Sequence, residues 1–224
     1  DMEIVMELNT FIQNAIKMTN NEKELIKYYF EFVRDQVLFD FLPEIDDIGA
    51  EEVFKRRRGQ CNNKTVLLFE LLTRSDIKAK VNFSTIKKSI HRGLFPSVMY
   101  LATPKEIGHS WIEILVDDMW IKLDGYINDK ELFYSALNLN KSKGWKIGHS
   151  VAIGDCGASL EFSLKNDKFV QMDGVISDLG LTTRPLEFLR SSNNPNKVNF
   201  IKKLMYKLFL PLIRSNVERV RNST

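Results

Sequence analysis

The spacing of apolar positions along the chain predicts its elements before any chemistry is considered. From residue 8 to residue 42 apolar side chains recur every three to four places, as two helices require. The second helix carries Leu25, Tyr28, Tyr29, Phe32, Val33, Gln36 and Val37 on one face, and Asn21 and Glu24 have the spacing of a capping box at its start. Pro43 and the acidic pair Asp46–Asp47 end it. A further stripe, Leu67, Leu68, Leu71 and Leu72, predicts a buried helix beginning at or near Cys61, just after Gly59. A strand is expected around 80–83, a hairpin over 109–124, and fainter strands over 160–163 and 168–172. Residues 193–196 read as a linker, and 198–220 as an amphipathic helix interrupted at Pro211. Its stripe of Ile201, Leu204, Met205, Leu208 and Leu212 is expected to fold back onto the body.

The hairpin can be read in register. With Asp117–Asp118 as its turn, Leu115 faces Trp120, Ile114 faces Ile121, Glu113 faces Lys122, Ile112 faces Leu123 and Trp111 faces Asp124. Opposite charges then pair on one face and branched side chains on the other. The turn lacks the glycine favoured in two-residue loops, which leaves room for a bulge. Extended by one pair, the same register sets His109 against Tyr126, with Asp124 diagonally across from the histidine.

Composition narrows the class. The chain of 224 residues, 44% hydrophobic and 27% charged, is an ordinary globular protein with enough length for one core and an appendage. Two cysteines, Cys61 and Cys156, make no disulfide framework. No basic leader with an apolar run and no membrane-length apolar stretch is visible, so the cytoplasm is the default expectation. The net charge of +3 is uneven: residues 196–224 hold seven basic residues and one acidic, leaving the remainder at −3. A basic tail on a mildly acidic body argues against a nucleic-acid binder. Contact of that tail with a membrane surface is a further reading, not the favoured one.

Cys61 is the candidate nucleophile. A helix start stabilises a thiolate through unpaired amides, and Arg56, Arg57 and Arg58 lie close upstream. His109 is the candidate base and Asp124 the residue that orients it. The backbone amide of Cys61 and the side chain of Gln60 are candidate oxyanion donors. A zinc site drawn from Cys61, His109, His149 and Cys156 lacks any close ligand pair. His149 and Cys156 therefore read as structural, and His91 as a surface residue. No phosphate-binding glycine loop or calcium loop is present.

Two segments carry a family resemblance: Arg58-Gly59-Gln60-Cys61-Asn62-Asn63-Lys64, running into the leucine stripe, and His109-Ser110-Trp111-Ile112-Glu113, followed by Trp120 to Tyr126. Over roughly residues 50–130 the chain resembles the transglutaminase-like family. That resemblance implies an α+β fold with a papain-like arrangement, in which a cysteine at a helix N-terminus packs against an antiparallel sheet. It assigns Cys61, His109 and Asp124 as the catalytic triad. One departure is Arg74-Ser75-Asp76-Ile77, where family members commonly carry a glycine before the isoleucine. The expected organisation is a domain over 1–192, N-terminal helices included, and a helical tail over 193–224 packed on it. The expected function is cysteine-dependent hydrolysis or acyl transfer on an amide of a protein, a peptide or a small molecule, with no metal or organic cofactor. The alternative is an interaction module that keeps the fold without turnover.

Overall fold

The computed structural model describes residues 2–155, 157–165, 168–197 and 199–223, and side chains from residue 8 onward. Helices α1 (Met2–Met18) and α2 (Glu22–Asp35) form the N-terminal layer. Asn21 accepts from the Glu24 amide at 3.0 Å, as the spacing predicts, but Glu24 reaches back to the amide of Asn20 rather than to that of the cap itself. The aromatic face of α2 meets Phe11 of α1 and Phe54 of α3 (Ala50–Arg56), and the Arg57 guanidinium lies over both the Phe54 and Phe32 rings.

Two residue pairs, β1 (Leu38–Phe39) and β2 (Arg58–Gly59), run parallel and deliver the chain to α4 (Cys61–Thr73). Ten of its thirteen residues are buried, so α4 is the central helix. Asp76 then takes a left-handed conformation (φ 61°), supplying the turn for which the family commonly uses glycine. Aspartate tolerates this region better than most residues because its short side chain bonds locally.

The main sheet has the order β5 (Met119–Leu123), β4 (Glu106–Val116), β3 (Ala79–Lys87), β8 (Val175–Thr182), with every pairing antiparallel. Short helix α5 (Ser97–Ala102) lies between β3 and β4. The β4–β5 register agrees with the sequence reading from Leu115–Trp120 to Ile112–Leu123. Asp117 and Asp118 both sit at positive φ (48° and 61°), so the turn is of the mirror-image type that matches strand twist, without a bulge. The ladder stops at Ile112–Leu123, however. Trp111–Asp124 and His109–Tyr126 are not ladder pairs, and Tyr126 instead shares a 2.7 Å hydroxyl bond with Thr65.

After β5 come α6 (Lys130–Ser142), the small hairpin of β6 (Ile147–Gly148) and β7 (Val151–Ala152), and α7 (Pro185–Arg190). Residues 160–163 and 168–171 are irregular and Met172 opens a 3-10 turn, so neither segment is a strand. Their amides bond to side chains, as in Val170 and Gln171 to Asp124, instead of to a ladder. The edge strand β8 had no clean alternation to announce it, and its pairing with β3 contains two register shifts.

The final helix α8 (Phe200–Arg221) runs unbroken through Pro211. Burial of Leu210 and Ile213 on either side of the proline holds the turn that the missing amide would otherwise weaken. The stripe turned inward is Tyr206, Leu210, Ile213, Val217 and Val220. The stripe expected to pack, Ile201, Leu204, Met205, Leu208 and Leu212, is exposed. Two apolar faces coexist on this helix, and polar anchors choose between them. Arg214 bonds Asp40, Arg221 bonds Asp129, the Tyr206 hydroxyl donates to the Leu42 carbonyl, and Asn216 donates to the Leu94 carbonyl.

Candidate active site

Cys61 is the first residue of α4, and the approach to it allows little freedom. The Gln60 amide donates to Asn63 Oδ1 at 3.1 Å, which fixes the helix start. A Cβ on Gly59 would lie 2.8 Å from Asn63 Cβ, so only glycine fits there. Burial and then the negative charge of Asp46 push the Cys61 thiol up to about 12; the backbone amides of Asn62, Ser110 and Cys61 itself pull the other way. The three upstream arginines do not help: Arg56 pairs with Glu44 and Glu52, Arg57 lies over aromatic rings, and Arg58 pairs with Asp40 and Glu218. At rest Cys61 is therefore a neutral thiol, not the thiolate that its helix position alone suggests.

Asp46, which the sequence marks only as a helix terminator, organises this region. It is buried, and it accepts four side-chain amides: Gln60 Nε2 and Asn62 Nδ2 at Oδ1, Asn194 Nδ2 and Asn196 Nδ2 at Oδ2, each between 2.9 and 3.1 Å. Asn196 also bonds both backbone groups of Gly108, beside His109. Residues 193–196 are thus a clamp on the site and not a linker. The preceding Ile45 is held at φ 61°, an outlier for a β-branched residue, and its carbonyl accepts from Asn63. Asn62 completes the arrangement by accepting from the Ser110 hydroxyl at 2.8 Å, which ties α4 to β4.

His109 is fully buried on β4, and neither ring nitrogen has a hydrogen-bond partner among the described residues. Burial lowers its pKa to about 3, so it too is neutral. Asp124 lies just past β5 with its carboxylate engaged elsewhere. Oδ1 accepts from the Val170 amide at 2.8 Å, and Oδ2 accepts from Gln171 and Met172 at 2.8 and 3.1 Å. Burial raises its pKa to about 7 against the pull of those three amides. Asp124 makes no hydrogen bond to His109 in this structure.

Cys61, Gln60 and His109 line one cavity of about 260 Å³; Asp124 does not border it. Gln171, whose amide is held by Asp124, does. The remaining wall is largely apolar, including Phe39, Phe41, Ile86, Ile90, Phe95 and Ile107, and it is closed by Met99 of α5 and by Tyr206 and Phe209 of α8. His91 faces this cavity instead of the surface, packed against Phe41 and Phe95, and its Nδ1 has no hydrogen-bond partner among the described residues. His149 does not line the cavity: it stacks on Trp145 and shares a 2.7 Å bond with Asn140. Cys156 lies outside the described residues. Among the described residues no three histidine, cysteine or acidic side chains converge as a metal site would need.

A neutral thiol predicts a definite reactivity profile. Iodoacetamide labelling of Cys61, followed by mass spectrometry of its peptide, should accelerate about tenfold per pH unit from pH 7 to 10, because the thiolate fraction grows at that rate below the pKa. A plateau already present near neutrality would mean that the resting site holds a thiolate–imidazolium pair.

The site joins a cysteine at a helix start to a histidine on the adjacent sheet, and the relation to known proteins agrees with that topology. Residues 9–125 match the transglutaminase-like superfamily, over half of the chain and including α1 from residue 9 and all of α2, which the sequence motifs had left unassigned. No curated protein matches the sequence. The chain belongs to the transglutaminase-like superfamily.

Proposed function

We propose that this protein performs cysteine-dependent hydrolysis or acyl transfer on an amide, with Cys61 as nucleophile and His109 as base. The observation that carries the reading is a fully buried imidazole with two unpartnered nitrogens, lining the same cavity as a thiol. A buried polar group without a partner is costly, and a substrate hydrogen-bonded to the ring removes that cost. The thiol proton passes to a His109 nitrogen as sulfur attacks the amide carbonyl carbon. The oxygen charge is met by the amide of Cys61 and by Gln60 Nε2, which has a second hydrogen beyond its bond to Asp46. Collapse of the tetrahedral intermediate breaks the C–N bond, the departing amine takes the proton from the imidazolium, and a thioester remains. Water, or a second amine, then attacks the thioester while His109 accepts its proton, and the thiol is restored. Asp124 acts at one remove, holding the Gln171 wall of the cavity through its carboxylate.

The test is to trap the acyl-enzyme by acid quench on a panel of amide and activated-ester substrates and to locate the added mass. Cys61 should carry it. Cys61→Ala should lower turnover by more than about 10³-fold, as loss of a nucleophile does. Unchanged turnover in that variant would assign the activity elsewhere. A second reading, an interaction module without turnover, is favoured by the neutral resting pair and by the commitment of Asp124 to residues 170–172. Absence of any Cys61 adduct across the panel would select it.

A further inference from the structure

The first half of α8 presents an apolar surface that no described residue covers. Phe200, Ile201, Leu204 and Leu208 are between 60% and 80% exposed, and Val98 and Leu101 of α5 are 64% and 76% exposed. The inner faces of the same two helices close the cavity, through Met99 and Ala102 on α5 and Tyr206 and Phe209 on α8. The exposed residues thus lie on the outer faces of two helices whose inner faces line the cavity. Single exposed apolar side chains need no explanation, but six on the outer faces of two helices that line one cavity mark an interaction site.

Charge identifies what that site meets. Between residues 199 and 217 there are four basic residues and no acidic one. Arg214 is spent on Asp40, whereas Lys202, Lys203 and Lys207 have no ion-pair partner among the described residues. Lysines beside large apolar side chains on one helix fit an interface that is apolar below and anionic above. A second copy of the chain would cover the apolar residues but bring the same lysines against one another.

We propose that the rim formed by α5 and residues 200–208 of α8 docks on an anionic lipid bilayer. The cavity behind these two helices then lies next to the membrane, and its aromatic and aliphatic wall suits the hydrocarbon chain of an amphiphile. Only the fate of such a chain at Cys61 rests on the proposed chemistry; docking does not.

The experiment is sedimentation with vesicles of phosphatidylcholine alone and of phosphatidylcholine mixed with phosphatidylglycerol. The protein should sediment with the mixed vesicles, less at higher salt, and little with phosphatidylcholine alone. Leu204→Glu/Leu208→Glu, on exposed positions away from the cavity wall, should weaken binding at least about tenfold with an unchanged circular-dichroism spectrum. Lys203→Glu/Lys207→Glu should weaken it by roughly fivefold or more per lysine. Cys61→Ala should bind as the parent does, so failed chemistry and failed docking give different results. No sedimentation of the parent protein, or equal sedimentation of the variants, overturns the proposal. So does light scattering that shows a dimer dissolved by Leu204→Glu in the absence of vesicle binding.

Discussion

Asp129→Ala should lower the unfolding free energy by about 3–5 kcal/mol, the cost of removing one partner from a buried ion pair. Asp129 is fully buried, and it accepts from Arg221 Nε and Nη2 at 3.0 and 2.9 Å, from the Phe39 amide and from the Leu132 amide as the N-cap of α6. Alanine would leave an almost fully buried guanidinium with only Glu218 and the Phe39 carbonyl, remove the stronger of the two negative charges acting on Lys64, and uncap a helix. Urea denaturation with an unchanged m-value reads the loss. Burial works against the charged form of Asp129, but the bonds and charge of Arg221 outweigh it and hold the carboxyl below its ordinary 3.8. The sign follows: this stabilisation is present above the ordinary carboxylate range and is lost as pH falls through the depressed value. The parent protein should therefore lose its advantage over Asp129→Ala in acid, and an advantage constant down to strongly acidic pH would contradict the ion-pair account.

Asp124→Ala should cost at least about 3 kcal/mol, because it leaves three amides without an acceptor at about 1–3 kcal/mol for each buried group. It should also release Gln171 from the cavity wall. Asp124→Asn keeps an acceptor oxygen but turns an NH₂ toward amide donors, so an intermediate loss is expected. Thermal and urea unfolding of the two variants measure this directly. A residue that served only to orient His109 would leave stability within about 0.5 kcal/mol of the parent, and that result would remove the structural role assigned here.

What was legible in the sequence was local. The hairpin could be read because Glu113–Lys122 and Ile114–Ile121 satisfy both faces at once, and a slip by one residue would violate both. Cys61 could be placed because Gly59 and the leucine stripe bracket a helix start. The period of α8 was also visible, but a helix with two apolar faces does not say which is covered; Asp40 and Asp129, far away in sequence, decide it. Strand β8 escaped notice because its exposed edge gives its side chains no consistent inside. The site missed Asp46 for a similar reason. Its neighbours Pro43 and Asp47 make it look like an ordinary helix stop, and the amides it gathers come from two segments, 60–62 and 194–196, the second of them far along the chain. Even the diagonal relation of His109 to Asp124 failed where the ladder ended, since register predicts neighbours only as far as the strands stay paired.

The four amides on Asp46 bear on the order in which the molecule assembles. Two of them come from positions 148 and 150 residues away along the chain, whereas α4 and the β4–β5 hairpin need only near neighbours. Contacts that close such long loops lag behind local ones because their entropy must be lost first. During refolding, then, the helices and hairpin should form while Cys61 still behaves as a free thiol, open to oxidation. Its protection should appear in a later, slower phase, when residues 194–196 reach Asp46.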